Sequence, residues 1–130
     1  MPWVEVFAIF IVCHLVGDYL LQTDWQATSK RGGLGRSRVA RRALARHITT
    51  YTLAFVPAFV WLAGDIDLLL VPVVALITVP HWIQDDGRLL SLYIQKVKGG
   101  DAAANPSVAA AADQSFHFVT LLGVAFLAGS

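Results

Sequence analysis

The residues of this chain that could do chemistry are its four histidines and eight aspartates. His14, His81 and His117 each have an aspartate four positions away (Asp18, Asp85 and Asp113), and His47 stands alone. Four residues is just over one helical turn, so each pair projects from one face of a helix. Imidazole and carboxylate together suit a divalent transition metal such as zinc, manganese or iron. Such a metal polarises a carbonyl or phosphoryl oxygen, or lowers the pKa of a bound water. An aspartate left outside the ligand set (Asp18, Asp85 or Asp113) can then act as general base. The candidate ligands are therefore His14, Asp18, His47, His81, Asp85, Asp113 and His117. Two alternatives use the same residues: buried His–Asp hydrogen bonds that fix helix register and bind nothing, or a path for protons or cations.

Helices must position these groups, and composition says in what solvent. The 130 residues are 56% hydrophobic and 15% charged, with a mean hydropathy of +0.60. Soluble domains carry about 45–50% apolar and about 25% charged residues, so a small polytopic membrane protein is expected. A soluble four-helix bundle would have to hide nearly all four helix surfaces. The single cysteine, Cys13, excludes an internal disulfide framework and a multi-cysteine zinc site.

A spanning helix needs roughly 20 mostly apolar residues. Four stretches qualify, over about 3–22, 43–63, 66–84 and 107–128, which predicts an all-α four-helix transmembrane bundle in a single domain, 1–130. The first has no basic segment ahead of it and is interrupted by His14 and Asp18, so it reads as a retained span rather than a signal peptide.

Lys and Arg accumulate in cytoplasmic loops. Seven of the ten basic residues lie in 30–46, and Arg88, Lys96 and Lys98 follow the third span, whereas the loop between spans two and three has none. Both termini are therefore expected outside and both long loops in the cytoplasm of a multi-pass inner-membrane protein. On that topology Asp18 and His14 lie about 6 and 12 Å from the cytoplasmic end of span one, and Asp113 and His117 roughly 9 and 15 Å into span four. His47, His81 and Asp85 fall near the same ends. All seven groups share one half of the membrane, which fits one shared site.

Smaller features are blander. Residues 37–46 are expected to extend span two as a basic helix, 89–97 to form an interfacial helix, and 99–106 a loop. Pro57 is expected to kink span two by freeing the carbonyl of Leu53, and Pro80 either to kink span three or to end it. Thr49, Thr50 and Tyr51 could support His47 from behind, although ordinary interhelical hydrogen bonds are the simpler role. Topology signalling explains the arginine run without nucleic acid. No Gly-rich phosphate loop, G-x-S-x-G or H-E-x-x-H is present.

The order H-L-V-G-D-Y-L-L-Q-T-D (His14 to Asp24), Lys30, His47, H-W-I-Q-D (His81 to Asp85) and D-Q-S-F-H (Asp113 to His117) resembles a bacterial and phage membrane family, domain of unknown function 3307. The resemblance covers nearly the whole chain. It implies a small multi-span protein whose recurrent polar positions are His14, Asp18, Gln22, His47, His81, Asp85, Asp113, Gln114 and His117, with Gln22 and Gln114 holding the ligands from behind. One departure is Arg88, where the family tends to have a lysine. A more distant similarity is to membrane-bound metal-dependent hydrolases, which also scatter His and Asp over helices.

Two functions follow as expectations. The first is a His/Asp divalent-metal site near the cytoplasmic leaflet that hydrolyses a lipid-linked or phosphate-bearing substrate. The second is a non-catalytic membrane interaction protein, such as an exclusion factor or accessory subunit, with structural His–Asp pairs. The expected partners are membrane lipids and a second copy or another membrane protein.

Overall fold

The computed structural model describes residues 1–130 and is helical throughout, with no strand. In chain order the helices are α1 (Trp3–Leu15), α2 (Asp24–Ser29), α3 (Arg38–Ala54), α4 (Val56–Ile66), α5 (Leu70–Asp85), α6 (Arg88–Tyr93), α7 (Gly100–Ala103) and α8 (Pro106–Ala128). Wider π turns prolong α1 over Val16–Leu20 and α6 over Ile94–Lys98, and a 3-10 turn at Asp67–Leu69 joins α4 to α5.

Local sequence accounts for the boundaries. Thr23 caps α2 reciprocally with Gln26, and Ser37 caps α3 by accepting from the Ala40 amide. Asn105 caps α8, and Pro106 occupies its first position, where a missing N–H costs nothing. Helices are present over the segments expected as the basic helix, the interfacial helix and the last span, the last beginning one residue early. The 99–106 segment contains the short helix α7 where a plain loop was expected.

The second expected span, 43–63, is not continuous. It divides at Phe55 into α3 and α4, because Pro57 has no N–H for the Leu53 carbonyl and its ring crowds the preceding turn. Three stretches are long and apolar enough to cross a membrane: Trp3–Leu20, Val56–Asp85 and Pro106–Ala128. Helix α3, 17 residues long and carrying Arg38, Arg41, Arg42 and Arg46, is not in that set. Within Val56–Asp85 the chain bends at Asp67, the one non-glycine residue with positive φ (46°). Pro80, by contrast, lies inside α5, which continues to Asp85.

Helix α1 lies along α8, α8 along α5, and α5 along α3, which returns to the π turn after α1. Between them is a core that includes Val6, Phe10, Phe55, Leu62, Val73, Ile77 and Leu121. Met1, Leu69 and Leu70 pack against this core, and the Ser130 amide donates to the Met1 carbonyl at 2.7 Å, so the two ends of the chain meet. The α2–α3 and α5–α6 loops also meet: the Gly32 and Leu34 amides donate to the Asp86 carbonyl and carboxylate at 2.9 and 2.8 Å. The basic segments of the sequence thus adjoin in space.

The outer faces are apolar. Val12, Leu20, Val60, Val71 and Val119 are each 60–76% exposed. Surfaces of this kind call for an apolar surrounding, which agrees with membrane association.

Candidate metal centre

Five elements deliver polar side chains to one buried point. Helix α1 supplies His14, its π turn Asp18, α3 His47, α5 His81 and Asp85, and α8 His117; all six are buried. A π turn adds a residue to the helical repeat and re-aims its side chains, a device frequent at functional sites. Here it carries Asp18 toward α3 and α5. Gly17 makes the approach possible: a Cβ there would stand 2.6 Å from the Tyr51 ring and 3.2 Å from its Cα.

Four donor atoms converge. His47 Nε2 lies 3.1 Å from Asp18 Oδ1 and 2.8 Å from Asp85 Oδ2. His81 Nε2 lies 3.1 and 3.2 Å from the same two oxygens, and 3.2 Å from His47 Nε2. A tetrahedral zinc ion bound at about 2.0–2.1 Å requires donors about 3.3 Å apart, so the spacing is close to that of a ligand set. Asp18 Oδ1 is buried beside two imidazoles and yet has no hydrogen-bond donor aligned on it; the aligned contact of the two rings is with each other. This buried His/Asp cluster could hold a metal ion.

A second group, Asp85, Asp113 and His117, adjoins the first through Asp85. His117 Nε2 is 3.0 Å from Asp85 Oδ1 and 3.5 Å from Asp113 Oδ2. Proton counting separates the two groups. His81 Nδ1 and His117 Nδ1 are hydrogen-bonded at 3.0 Å, which takes one proton between them. In neutral rings, the one donating at Nδ1 has a bare Nε2 and the other carries its proton at Nε2. Only one of the two can then offer a lone pair to a metal, and His81, facing three further donors, is the better placed.

His14 is drawn away from the cluster. Gln114 turns its amide nitrogen to Asp18 Oδ2 and Asp113 Oδ2, both at 3.4 Å, so its oxygen faces His14 Nε2 at 2.7 Å. A carbonyl oxygen only accepts, so His14 carries its proton at Nε2 and accepts from the Tyr51 hydroxyl at Nδ1, 2.9 Å away. His14, 3.6 Å from Asp18 Oδ2, thus has both nitrogens engaged. Gln22 donates to the Asp18 carbonyl and accepts from Lys30.

Lys30 and Tyr51 are the residues that sequence reasoning underrated. Lys30 Nζ reaches Asp85 Oδ2 at 2.8 Å and Gln22 Oε1 at 2.6 Å. Nothing in its loop position sets it apart from the arginines that follow. Tyr51 stacks on His81 with ring centroids 3.5 Å apart. It follows His47 by four residues, the spacing of the His–Asp pairs, and that was its available signal. Thr49 and Thr50 bond only to carbonyls of their own helix.

Asp86 sits next to the cluster in sequence and outside it in space. Burial alone would raise its carboxyl, but donation from Arg88 and the Leu34 amide outweighs this and holds it below the ordinary carboxylate range. Beside the cluster, a cleft of about 160 Å³ opens over Asp85 and Asp113, with Lys30 and Arg31 on its rim.

No curated protein and no solved structure matches the chain. A family model does, over residues 6–129, nearly the whole length. The chain belongs to the family described as protein of unknown function DUF3307.

Proposed function

We propose that this is a multi-pass inner-membrane protein, a four-helix bundle with both termini outside and its basic loops in the cytoplasm. On this reading it holds one divalent metal (zinc, manganese or iron) through Asp18, His47, His81 and Asp85, and hydrolyses a lipid-linked or phosphate-bearing substrate. One observation carries the reading: two imidazole nitrogens and two carboxylate oxygens stand 2.8–3.2 Å apart in five of their pairings, and one of those oxygens has no hydrogen-bond donor. Each ionisable group in hydrocarbon costs several kcal/mol unless it is paired, hydrated or metal-bound, and a cation at the centre of these four compensates all of them together.

The metal would supply Lewis-acid polarisation of a phosphoryl oxygen and a bound water of lowered pKa. The protein's own groups do the rest. Lys30 anchors Asp85, Gln114 orients Asp18, and Tyr51 lies flat against His81. Asp113, with 27% of its side chain exposed beside the cleft, is the carboxylate placed to take or give a proton there.

One observation favours the second reading, a binding protein with a structural polar core. The aligned contacts His47 Nε2–His81 Nε2 and His81 Nδ1–His117 Nδ1 can form a directional hydrogen-bond chain without any metal. Elemental analysis of the detergent-purified chain separates the two. The metal reading expects about one equivalent of a transition metal per chain, lost in His81→Ala. Sub-stoichiometric metal unchanged by that substitution selects the polar core.

A further inference from the structure

The cleft beside the cluster is the polar end of a longer groove. It shares Gln84, Leu90 and Asp113 with a second cleft of about 170 Å³. That cleft shares Phe116 with a third, of about 510 Å³, whose walls include Tyr93, Val108, Ala112 and Val119. Along this run the lining changes from mainly charged to mainly apolar, with Lys98, Ser107 and Ser115 as the polar members of the far cleft. The charged end has a cation without an acidic partner. The Arg31 guanidinium lies over Gly87, where a Cβ would stand 3.2 Å from its Cγ, and its side chain bonds only to the Ser91 hydroxyl. The φ of +82° at Gly87 independently favours glycine.

We infer that the groove takes a lipid phosphate: its phosphate between Arg31, Lys30 and the metal cluster, and its acyl chain along α8 from Leu90 past Phe116 toward Val119. The inference rests on the metal reading, because Asp85 and Asp113 would repel a phosphate in the absence of a divalent cation. Charge complementarity selects the head. An arginine fork with its charge unspent is suited to phosphate oxygens. Continuity of the apolar walls selects the tail, since each buried methylene is worth about fourfold in affinity. The walls at Leu89 and Val119 are 59% and 68% exposed on the outer face, so a chain can enter sideways from the bilayer.

The test uses the full chain in detergent, loaded with zinc, and native mass spectrometry of bound dioctanoyl phosphatidic acid, dioctanoyl phosphatidylcholine and glycerol 3-phosphate. The inference expects the phosphatidic acid to be retained at least about tenfold better than either other probe. Arg31→Ala should remove its advantage over phosphatidylcholine. Ala112→Trp, and independently Val119→Trp, should remove its advantage over glycerol 3-phosphate while leaving zinc content unchanged. Equal retention of glycerol 3-phosphate, or indifference to both tryptophan variants, overturns the groove and leaves the metal centre standing. Failure of the chain to take up any of zinc, manganese and iron overturns both.

Discussion

Tyr51 lies flat on the imidazole of His81, ring centroids 3.5 Å apart and planes 7° from parallel, while its hydroxyl donates to His14 Nδ1 at 2.9 Å. One side chain thereby fixes the orientation of one histidine and satisfies the bare nitrogen of another. The two roles can be separated by substitution. Tyr51→Phe keeps the stack and strands a buried acceptor, a loss of about 1–3 kcal/mol. It should lower the melting temperature and leave metal content intact. Tyr51→Ala should lower both, as melting and elemental analysis on the same preparations would show.

Gly17 is a steric requirement of the site. In Gly17→Ala the new methyl meets the Tyr51 ring at 2.6 Å, and overpacking of this kind costs about 1–3 kcal/mol. Because the clash lies between the π turn and α3, Asp18 should retreat from His47. The expected outcome is metal content reduced more than thermal stability. The same substitution at Gly123, within α8 and with nothing inside 4 Å of a Cβ, should leave metal content unchanged and raise stability by about 0.5–1 kcal/mol.

Asp86 joins the two basic loops, and its depressed pKa gives the effect of acid a definite sign. Its bonds stabilise the folded chain in full above the ordinary aspartate value of about 3.9. That contribution is lost as the pH falls through the lower folded value. The protection factor of the Leu34 amide, taken against the intrinsic exchange rate at each pH, should therefore fall on acidification. In Asp86→Asn the Leu34 amide should exchange faster already at neutral pH, with a flatter acid limb.

Chelation should destabilise the chain, because a ligand that binds only the folded state adds its binding free energy to stability. At a free metal concentration a hundredfold above the dissociation constant this is about 2.7 kcal/mol. A melt with and without a chelator, followed by return of zinc or manganese, measures it. His47→Gln should melt at one temperature under all three conditions.

The orientation is open to labelling. With Cys13 replaced, single cysteines at positions 37 and 65 should react with a membrane-impermeant thiol reagent from opposite sides. Reaction from the same side would remove the two-sided arrangement on which the cytoplasmic placement of the cluster rests.

Much of the site is legible in the residues alone. Charge scarcity in an apolar chain makes each histidine conspicuous, and the i, i+4 spacing of His81 and Asp85 does place them together. What escapes the sequence depends on quantities that periodicity does not carry. A π turn at Val16–Leu20 leaves the hydrophobic pattern intact while rotating Asp18 toward α3. The sequence places His14 and His47 at similar depths, but the rotation of α1 about its axis gives His14 to Gln114 and Tyr51. The break at Phe55 was signalled by Pro57, yet whether a proline bends a helix or divides it depends on its packing, and Pro80 shows the other outcome. Lys30 belongs by sequence to a basic loop that signals topology. Only the packing of α2 against α3 carries its ammonium to Asp85.

That ammonium has a consequence for the order of events. Asp18, Asp85 and Lys30 are the charged side chains in direct contact at the cluster, two carboxylates against one ammonium. With the histidines neutral, their sum is one negative charge. A divalent cation reverses the sign to one positive charge. On the proposed reading, a centre of this composition would repel an anion until the cation had arrived and attract it afterwards, so the expected order is metal first, phosphate second.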